Sequence, residues 1–271
     1  MSSPRRLTRD QSVDAVPVDW TADSKAIVFT SERNGKHGVY RQKLDETTAE
    51  SLIQVRQRQA IAPRLSGDGR EVLYAQAEKP RDPSAPVSLM AAPIAGGTPR
   101  LILSELGINN ILCAKPPAQM CILKELLGQT ALFYLLDLYH GKGRLVANLP
   151  SDANWGFSPD GSTLVIVTNG KEGNVRFVSI DSGTTKDVVV QDWPILKSAD
   201  WAADSKVVLM ASVNPKGVPV ILGVDTEGNA KVLLEGYKGN PLSWVIPSPD
   251  GKYGALAVIT GESNVWMVEN Y

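Results

Sequence analysis

Apolar residues in this chain gather in short runs rich in Val, Ile, Leu, Phe and Thr, broken by clusters of Gly, Pro, Asp and Ser. Helix-length amphipathic periodicity is nearly absent, so the pattern predicts short strands separated by turns. One stretch shows the arrangement plainly, with strands expected at residues 154–157, 163–167, 175–181 and 186–191. The third of these strands recurs as VYRQKLD from Val39, VSLMAAPI from Val87, LFYLLDL from Leu132, PVILGVD from Pro219 and VWMVENY from Val265. The fourth recurs as ESLIQV from Glu50, PRLILS from Pro99, GRLVANL from Gly143 and AKVLLEG from Ala230. Such β-branched and aromatic runs suit a pleated, half-buried surface. Residues 46–60 could be drawn as a helix, but they fall where the other copies carry a fourth strand and are read as strand.

The turn between the first two strands of each copy repeats as well. TADSK (21–25), SGDGR (66–70), SPDGS (158–162), AADSK (202–206) and SPDGK (248–252) share a small residue, then Asp, then Gly or Ser. Gly accepts positive φ and Asp bonds its own downstream backbone, which is the chemistry of a tight hairpin. The turn aspartates Asp23, Asp68, Asp160, Asp204 and Asp250 are spaced by 45, 92, 44 and 46 residues. A degenerate copy is therefore expected near residue 116, where Lys115-Pro116-Pro117-Ala118 stands in place of Asp-Gly. Six copies with a period of about 45 predict a propeller or array. The sixth copy stops at Tyr271, 21 residues past Asp250, whereas the fourth reaches Val190, 30 past Asp160. The missing strand is expected from PRRLTR at residues 4–9, which has no place in the first copy and resembles PRLILS. The expectation is an all-β, six-bladed β-propeller of four-stranded antiparallel blades, a single domain over 1–271. Its repeats run at about 10–55, 56–104, 105–149, 150–191, 192–236 and 237–271 plus 4–9, the last blade completed by the N-terminal strand.

Composition narrows the function classes without naming one. Of 271 residues, 28 are Lys or Arg and 29 Asp or Glu, for a net charge of −1, and 43% are hydrophobic. Disorder, collagen and coiled coil are excluded, and a chain of this length buries enough surface to need no metal or disulfide staple. The balanced charge argues against a non-specific nucleic-acid binder. No apolar run approaches the roughly 18–20 residues of a membrane span, and MSSPRRLTRD offers no signal-peptide core. Direct membrane insertion is therefore not expected. Two histidines and two cysteines leave little for a multi-ligand metal site, and no cofactor is expected.

The string from Trp20 to Tyr40, W-x-x-D-S-K-x-x-V-F-T-S-E-R-N-G-x-x-x-V-Y, resembles the TolB-like propeller repeat. That group is related to WD-repeat propellers and to the propellers that cap prolyl-oligopeptidase-type peptidases. DPSAPVSLMAAPIAGG (82–97), the segment from Cys113 to Cys121, and the ending WVIPSPDGKY…NVWMVENY resemble a propeller region of acidobacterial multidomain proteins. There it follows a serine/threonine kinase or winged-helix domain, often across a membrane span. The resemblance implies an extracytoplasmic (periplasmic) position. It carries over no catalytic residue, because its motif residues are turn and packing residues.

Candidate sites were weighed against structural roles. Gly156-Phe157-Ser158-Pro159-Asp160 breaks the G-x-S-x-G pattern of a hydrolase and reads as the hairpin turn. Gly141-Lys142-Gly143 has no helix start after it and is no phosphate loop. His37, in an expected loop at 34–38, and His140, in a turn at 140–142, belong to different copies and opposite rims, which leaves them as solvated loop histidines. The turn aspartates are one per blade, too far apart for calcium. Trp20 and Trp201 share a register and are expected in the inter-blade core. Trp193 has no counterpart and reads either as an exposed contact or as a plug over a blade seam. Arg33, Lys36, His37, Arg56, Arg58, Lys79 and Arg81 gather in the rim loops of the first two copies, with Glu32 and Asp82 as the acids. They read either as a binding face for an anionic peptide, glycan or acidic protein or as ordinary solvated charge. An offset of 44 aligns Cys113 on Phe157 and Cys121 on Val165, within one residue of facing each other in one hairpin. With the placement the resemblance implies, they read as a disulfide spanning the usual ~4.4–6.8 Å between Cα atoms, with two buried thiols as the alternative.

The function expected is a non-catalytic ligand- or protein-binding propeller, a sensor or interaction module of a larger signalling protein. It is expected to act as a monomer with a protein or peptide partner or a small anionic ligand at one rim. The alternatives are a propeller that gates or feeds a prolyl-oligopeptidase-type peptidase and a propeller sugar lyase. Ligand, partner, any upstream domain and the natural start stay open.

Overall fold

Turn chemistry sets the first hairpin of each repeat. In four copies a Ser or Thr two residues before the Asp donates its hydroxyl to the Asp Oδ1 at 2.6–2.7 Å, from Thr21, Ser66, Ser158 and Ser248. The same oxygen accepts the amide two residues on at 2.9–3.1 Å, from Lys25, Arg70, Ser162, Lys206 and Lys252. The residue after each Asp is left-handed, Gly in three copies but Ser24 and Ser205 in two, both at φ 58°. That conformation costs a non-glycine about 1 kcal/mol. Both serines return something for it: Ser24 Oγ accepts the Asp250 amide at 3.0 Å and Ser205 Oγ the Asp160 amide at 3.3 Å, each across a blade seam.

This computed structural model describes residues 4–8, 13–33, 36–55, 60–77, 79, 82, 84–168, 173–236, 242–259 and 263–269. Six four-stranded antiparallel sheets form the ring. The first strand is β1 (Arg5–Arg6). Blade 1 comprises β2 (Val13–Trp20), β3 (Ala26–Arg33), β4 (Lys36–Lys43) and β5 (Glu50–Val55). Blade 2 comprises β6 (Ala60–Leu65), β7 (Glu71–Ala77), β8 (Val87–Pro93) and β9 (Arg100–Glu105). Blade 3 holds β10 (Ile108–Cys113), β11 (Cys121–Leu127), β12 (Thr130–Asp137) and β13 (Gly141–Pro150). Blade 4 holds β14 (Asn154–Phe157), β15 (Thr163–Thr168), β16 (Gly173–Ser179) and β17 (Thr185–Val190). Blade 5 holds β18 (Lys197–Trp201), β19 (Val207–Val213), β20 (Pro219–Asp225) and β21 (Ala230–Glu235). Blade 6 holds β22 (Leu242–Pro247), β23 (Tyr253–Ile259) and β24 (Ser263–Glu269) and is completed by β1, in the order β1-β24-β23-β22. Among the described residues no helix is long and apolar enough to cross a membrane.

Closure is made by little chain and much burial. Arg5 pairs with Met267 and Arg6 with Trp266, a shorter strand than the six residues expected. Leu7 and Thr8, just beyond it, are buried, and Gln42 Nε2 donates to the Leu7 carbonyl at 3.1 Å.

The apolar core is divided among the seams, since each sheet has both faces to cover. Trp20 packs with Leu7 and Met267 between blades 6 and 1, its Nε1 donating to the Ile246 carbonyl at 2.8 Å. Trp201 lies between blades 4 and 5, edge-on to Phe177. Near the axis the packing is backbone on backbone. A Cβ on Gly156 would fall 2.1 Å from the Ala199 carbonyl oxygen, and one on Gly67 2.1 Å from that of Ala114. Neither position admits a side chain at this blade spacing.

Blade 3 departs from its sisters by one residue. Ala114 N donates to Met120 O where Ser158 N donates to Thr163 O, so the Pro116-Pro117 hairpin is one residue longer. The constant offset of 44 therefore fails in the second strand. Cys121 corresponds to Leu164 rather than Val165 and stands directly opposite Cys113. The two form a disulfide with Cα atoms 3.9 Å apart, closer than the span expected from sequence. Closing so short a loop contributes about 2.5 kcal/mol in the chain-entropy model. Alkylation under denaturing, non-reducing conditions is expected to add no mass, and reduction to lower the melting temperature by several degrees. Two alkyl groups taken up without reductant, or a melting curve indifferent to reductant, would contradict this.

Candidate binding channel

The innermost strands β2, β6, β10, β14, β18 and β22 bring one register position to the axis. Four residues before the turn Asp, or its equivalent, stand Asp19, Arg64, Leu112, Gly156, Asp200 and Ile246. All but Gly156 line an axial cavity of about 640 Å³ that opens among the first-hairpin turns, beside Pro116, Pro159, Asp160 and Asp204. A second cavity of about 660 Å³ opens at the other end, beside Asn109, Asn154, Lys197 and Trp244. Arg64, Leu112, Ala199, Asp200 and Ile246 border both and form the waist between them.

The charges at the waist are held differently. Asp19 is fully engaged: Oδ1 accepts the Trp20 amide at 2.8 Å and Lys115 Nζ at 3.3 Å, and Oδ2 accepts the Leu65 amide at 3.1 Å. It ties blades 1, 2 and 3 together. Arg64 donates one Nη to its neighbour's carbonyl, Pro63 O, at 3.0 Å. Among the described residues Asp200 has no side-chain hydrogen bond or ion pair. Burial pushes its carboxyl up to about 7, with Arg64 opposing and Asp19 adding to the rise. At the second mouth Lys124 reaches the Ser151 and Ala153 carbonyls at 3.4 and 3.5 Å, and burial lowers its pKa.

Of the rim residues singled out from sequence, Arg33, His37 and Lys79 are described. Arg33 lies over the rings of Tyr40 and Phe29 at 4.6 and 5.4 Å, so its guanidinium packs against the blade. His37 is in strand β4, not in a loop as expected, and its Nε2 is 2.9 Å from Glu32 Oε2 across the hairpin. The strands pair as far as Arg33 and Lys36, and the Asn-Gly between them in sequence is the signal of a two-residue turn. Lys79 is exposed. Arg56, Arg58 and Arg81, and the side chain of Lys36, lie outside the described residues. His140 pairs with Asp137 at 3.0 Å on the β12–β13 turn, at the opposite end of a blade from the His37 hairpin. Trp193 is half-buried against the seam of blades 4 and 5, with its carbonyl over Gly173. Lys142, of the Gly-Lys-Gly turn, is held by Glu105 and by Glu125 at 3.0 Å. Among the described residues no three His, Cys, Asp or Glu side chains group as a metal site.

Asp19, Arg64, Lys115 and Asp200 were missed. For Asp19, Arg64 and Asp200 the signal was a charged residue four positions before the turn Asp; Lys115, on the β10–β11 turn, had no such signal.

No family model matches the chain, and no curated protein matches it in sequence. Solved structures do. A TolB protein from Agrobacterium tumefaciens is 18% identical with a TM-score of 0.66, covering 82% of this chain and 81% of its own. TolB from Acinetobacter baumannii is 15% identical at 0.64 over 96% of this chain, which spans 64% of that protein. An oligogalacturonate lyase in complex with manganese is 12% identical at 0.63, over 98% of this chain and 92% of that one. These likenesses establish a TolB-like six-bladed propeller fold.

Proposed function

We propose that this chain is a non-catalytic recognition propeller that binds a segment of a partner in its axial channel, as the sensor or interaction module of a larger signalling protein. The observation carrying it is the waist, where Arg64 and Asp200 face open space between two cavities each of a size usual for ligand sites. A few convergent polar groups on an otherwise apolar wall orient a ligand, and among the described residues lining the two cavities there is no histidine base. Both histidines instead pair with carboxylates of their own hairpins, away from the axis. The fold is one that TolB proteins, a lyase, an acylaminoacyl peptidase and a puromycin hydrolase share, so the site and not the fold supports this reading.

The test is hydrogen–deuterium exchange on the chain with peptides selected against it from a random library. Protection is expected in β6, β18 and β22 and in the turns at the channel mouths, with the peptide recovered unchanged in mass after long incubation. Protection confined to the outer strands, or a cleaved or modified peptide, would overturn the proposal.

A further inference from the structure

The two mouths of the channel differ in charge. The cavity at the first-hairpin mouth is lined by Asp160 and Asp204, and the one lysine in its lining, Lys115, is spent on Asp19; Lys25, Arg70, Lys206 and Lys252 follow the turn residues outside that lining. The cavity at the second mouth is lined by Lys124 and Lys197 with Arg64 behind them, and among the described residues its lining has no acid but Asp200 at the waist, with Asp152 acting on Lys124 from beside it. The linings therefore favour an anionic group in the second cavity over the first. Arg64 has donors left beyond its single bond to Pro63 O, in a planar fork that matches a carboxylate.

The walls say what the anion is attached to. Asn109 and Asn154 are half-buried there, and among the described residues neither side chain has a hydrogen-bond partner. A primary amide offers a donor and an acceptor together, which is what a peptide group asks for. Half-buried Trp244 adds an apolar surface beside them. A cavity of about 660 Å³ is too large for a simple anion and fits a peptide of a few residues.

We infer that the second mouth takes the free carboxyl end of a peptide chain, with Arg64 holding the terminal carboxylate at the waist and Asn109 and Asn154 pairing with the last peptide groups. The inference rests on the channel-binding reading above and gives it a ligand class and a direction of entry. Asp200 makes the capture pH-sensitive. The charged groups around it are Arg64 on β6, Asp19 on β2, Lys115 on the β10–β11 turn, Lys124 on β11 and Lys197 on its own strand; β14 and β22 bring none. Below neutral pH its carboxyl keeps a proton and leaves the charge of Arg64 to the ligand. Above it, Asp200 becomes a competing anion.

The probe is a peptide library displayed with free carboxyl ends, followed by fluorescence anisotropy of the selected peptide as its acid and as its amide. The acid is expected to bind, the amide about tenfold or more weaker. Arg64→Gln and Lys197→Glu should each weaken the acid, and its affinity should fall severalfold from pH 6 to pH 8.5. Equal binding of acid and amide, still lost in Arg64→Gln, would overturn the carboxylate inference and leave channel binding standing. Selected peptides indifferent to both substitutions, or no selectable peptide, would overturn both. Should Arg64→Gln fail to fold, the acid–amide comparison on the unaltered protein and Lys197→Glu still decide.

Discussion

Removal of residues 1–9 is expected to lower the melting temperature by about 10 °C and to make the protein self-associate. The segment contributes more than the two residue pairs of β1. Leu7 is 3% exposed in the seam that also holds Trp20, Ile27 and Met267. Losing a buried leucine costs roughly 2–5 kcal/mol. Gln42, itself buried, would lose the Leu7 carbonyl that its amide now bonds, and a buried polar group left unpaired costs about 1–3 kcal/mol. Together these come to about 5 kcal/mol, and a domain of this size shifts by roughly 2 °C per kcal/mol. The same deletion bares the edge of β24, a row of unpaired backbone groups of the kind that recruits a second chain. Calorimetry and light scattering on the truncated chain are the measurements. A superimposable melting curve with unchanged mass would mean that β1 does not close the ring.

What the sequence made legible is what its local chemistry repeats. The Asp turns, the strand runs between them and the period near 45 are each set within a few residues, so six blades and the need for a closing strand could be read directly. The third blade shows where that stops. Its gap in the turn pattern was readable, but the extra residue beside Pro116-Pro117 was not, because a constant offset assumes hairpins of equal length. Only strand pairing shows that Cys121 faces Cys113. His37 stands in β4 rather than in a loop because the strands pair as far as Arg33 and Lys36, as the Asn-Gly signal of a short turn allows. The channel lies further out of reach. Asp19, Arg64 and Asp200 are separated by 45 and 136 residues in sequence and meet only because the ring brings one register position to the axis. Charge density along the chain likewise does not tell that Arg33 lies over the ring of Tyr40.

Asp200→Asn is expected to stabilise the protein strongly at pH 8.5, far less at pH 5, and not at all below the ordinary carboxylate value of about 3.9. In the unfolded chain this carboxyl ionises near the ordinary value of about 3.9; in the folded chain burial holds it at about 7. Between those values the folded state carries a proton that the unfolded state has lost, so stability falls as pH rises and the penalty is complete above 7. Three units correspond to about 4 kcal/mol at most. Asp200 is half-buried and borders the open channel, so solvent screening reduces that to roughly 1–3 kcal/mol. Asparagine keeps the shape and cannot ionise, which removes the penalty where it exists and nothing where it does not. The gap between the melting temperatures of the two proteins should therefore be small near pH 5 and widen to several degrees by pH 8.5, with the asparagine form higher. Curves that run parallel across the range would show Asp200 ionising at its ordinary value. Loss of stability in the variant at high pH would show that the charge on Asp200 is needed by Arg64. In either case the waist of the channel would be a settled ion pair rather than a group that titrates in open space.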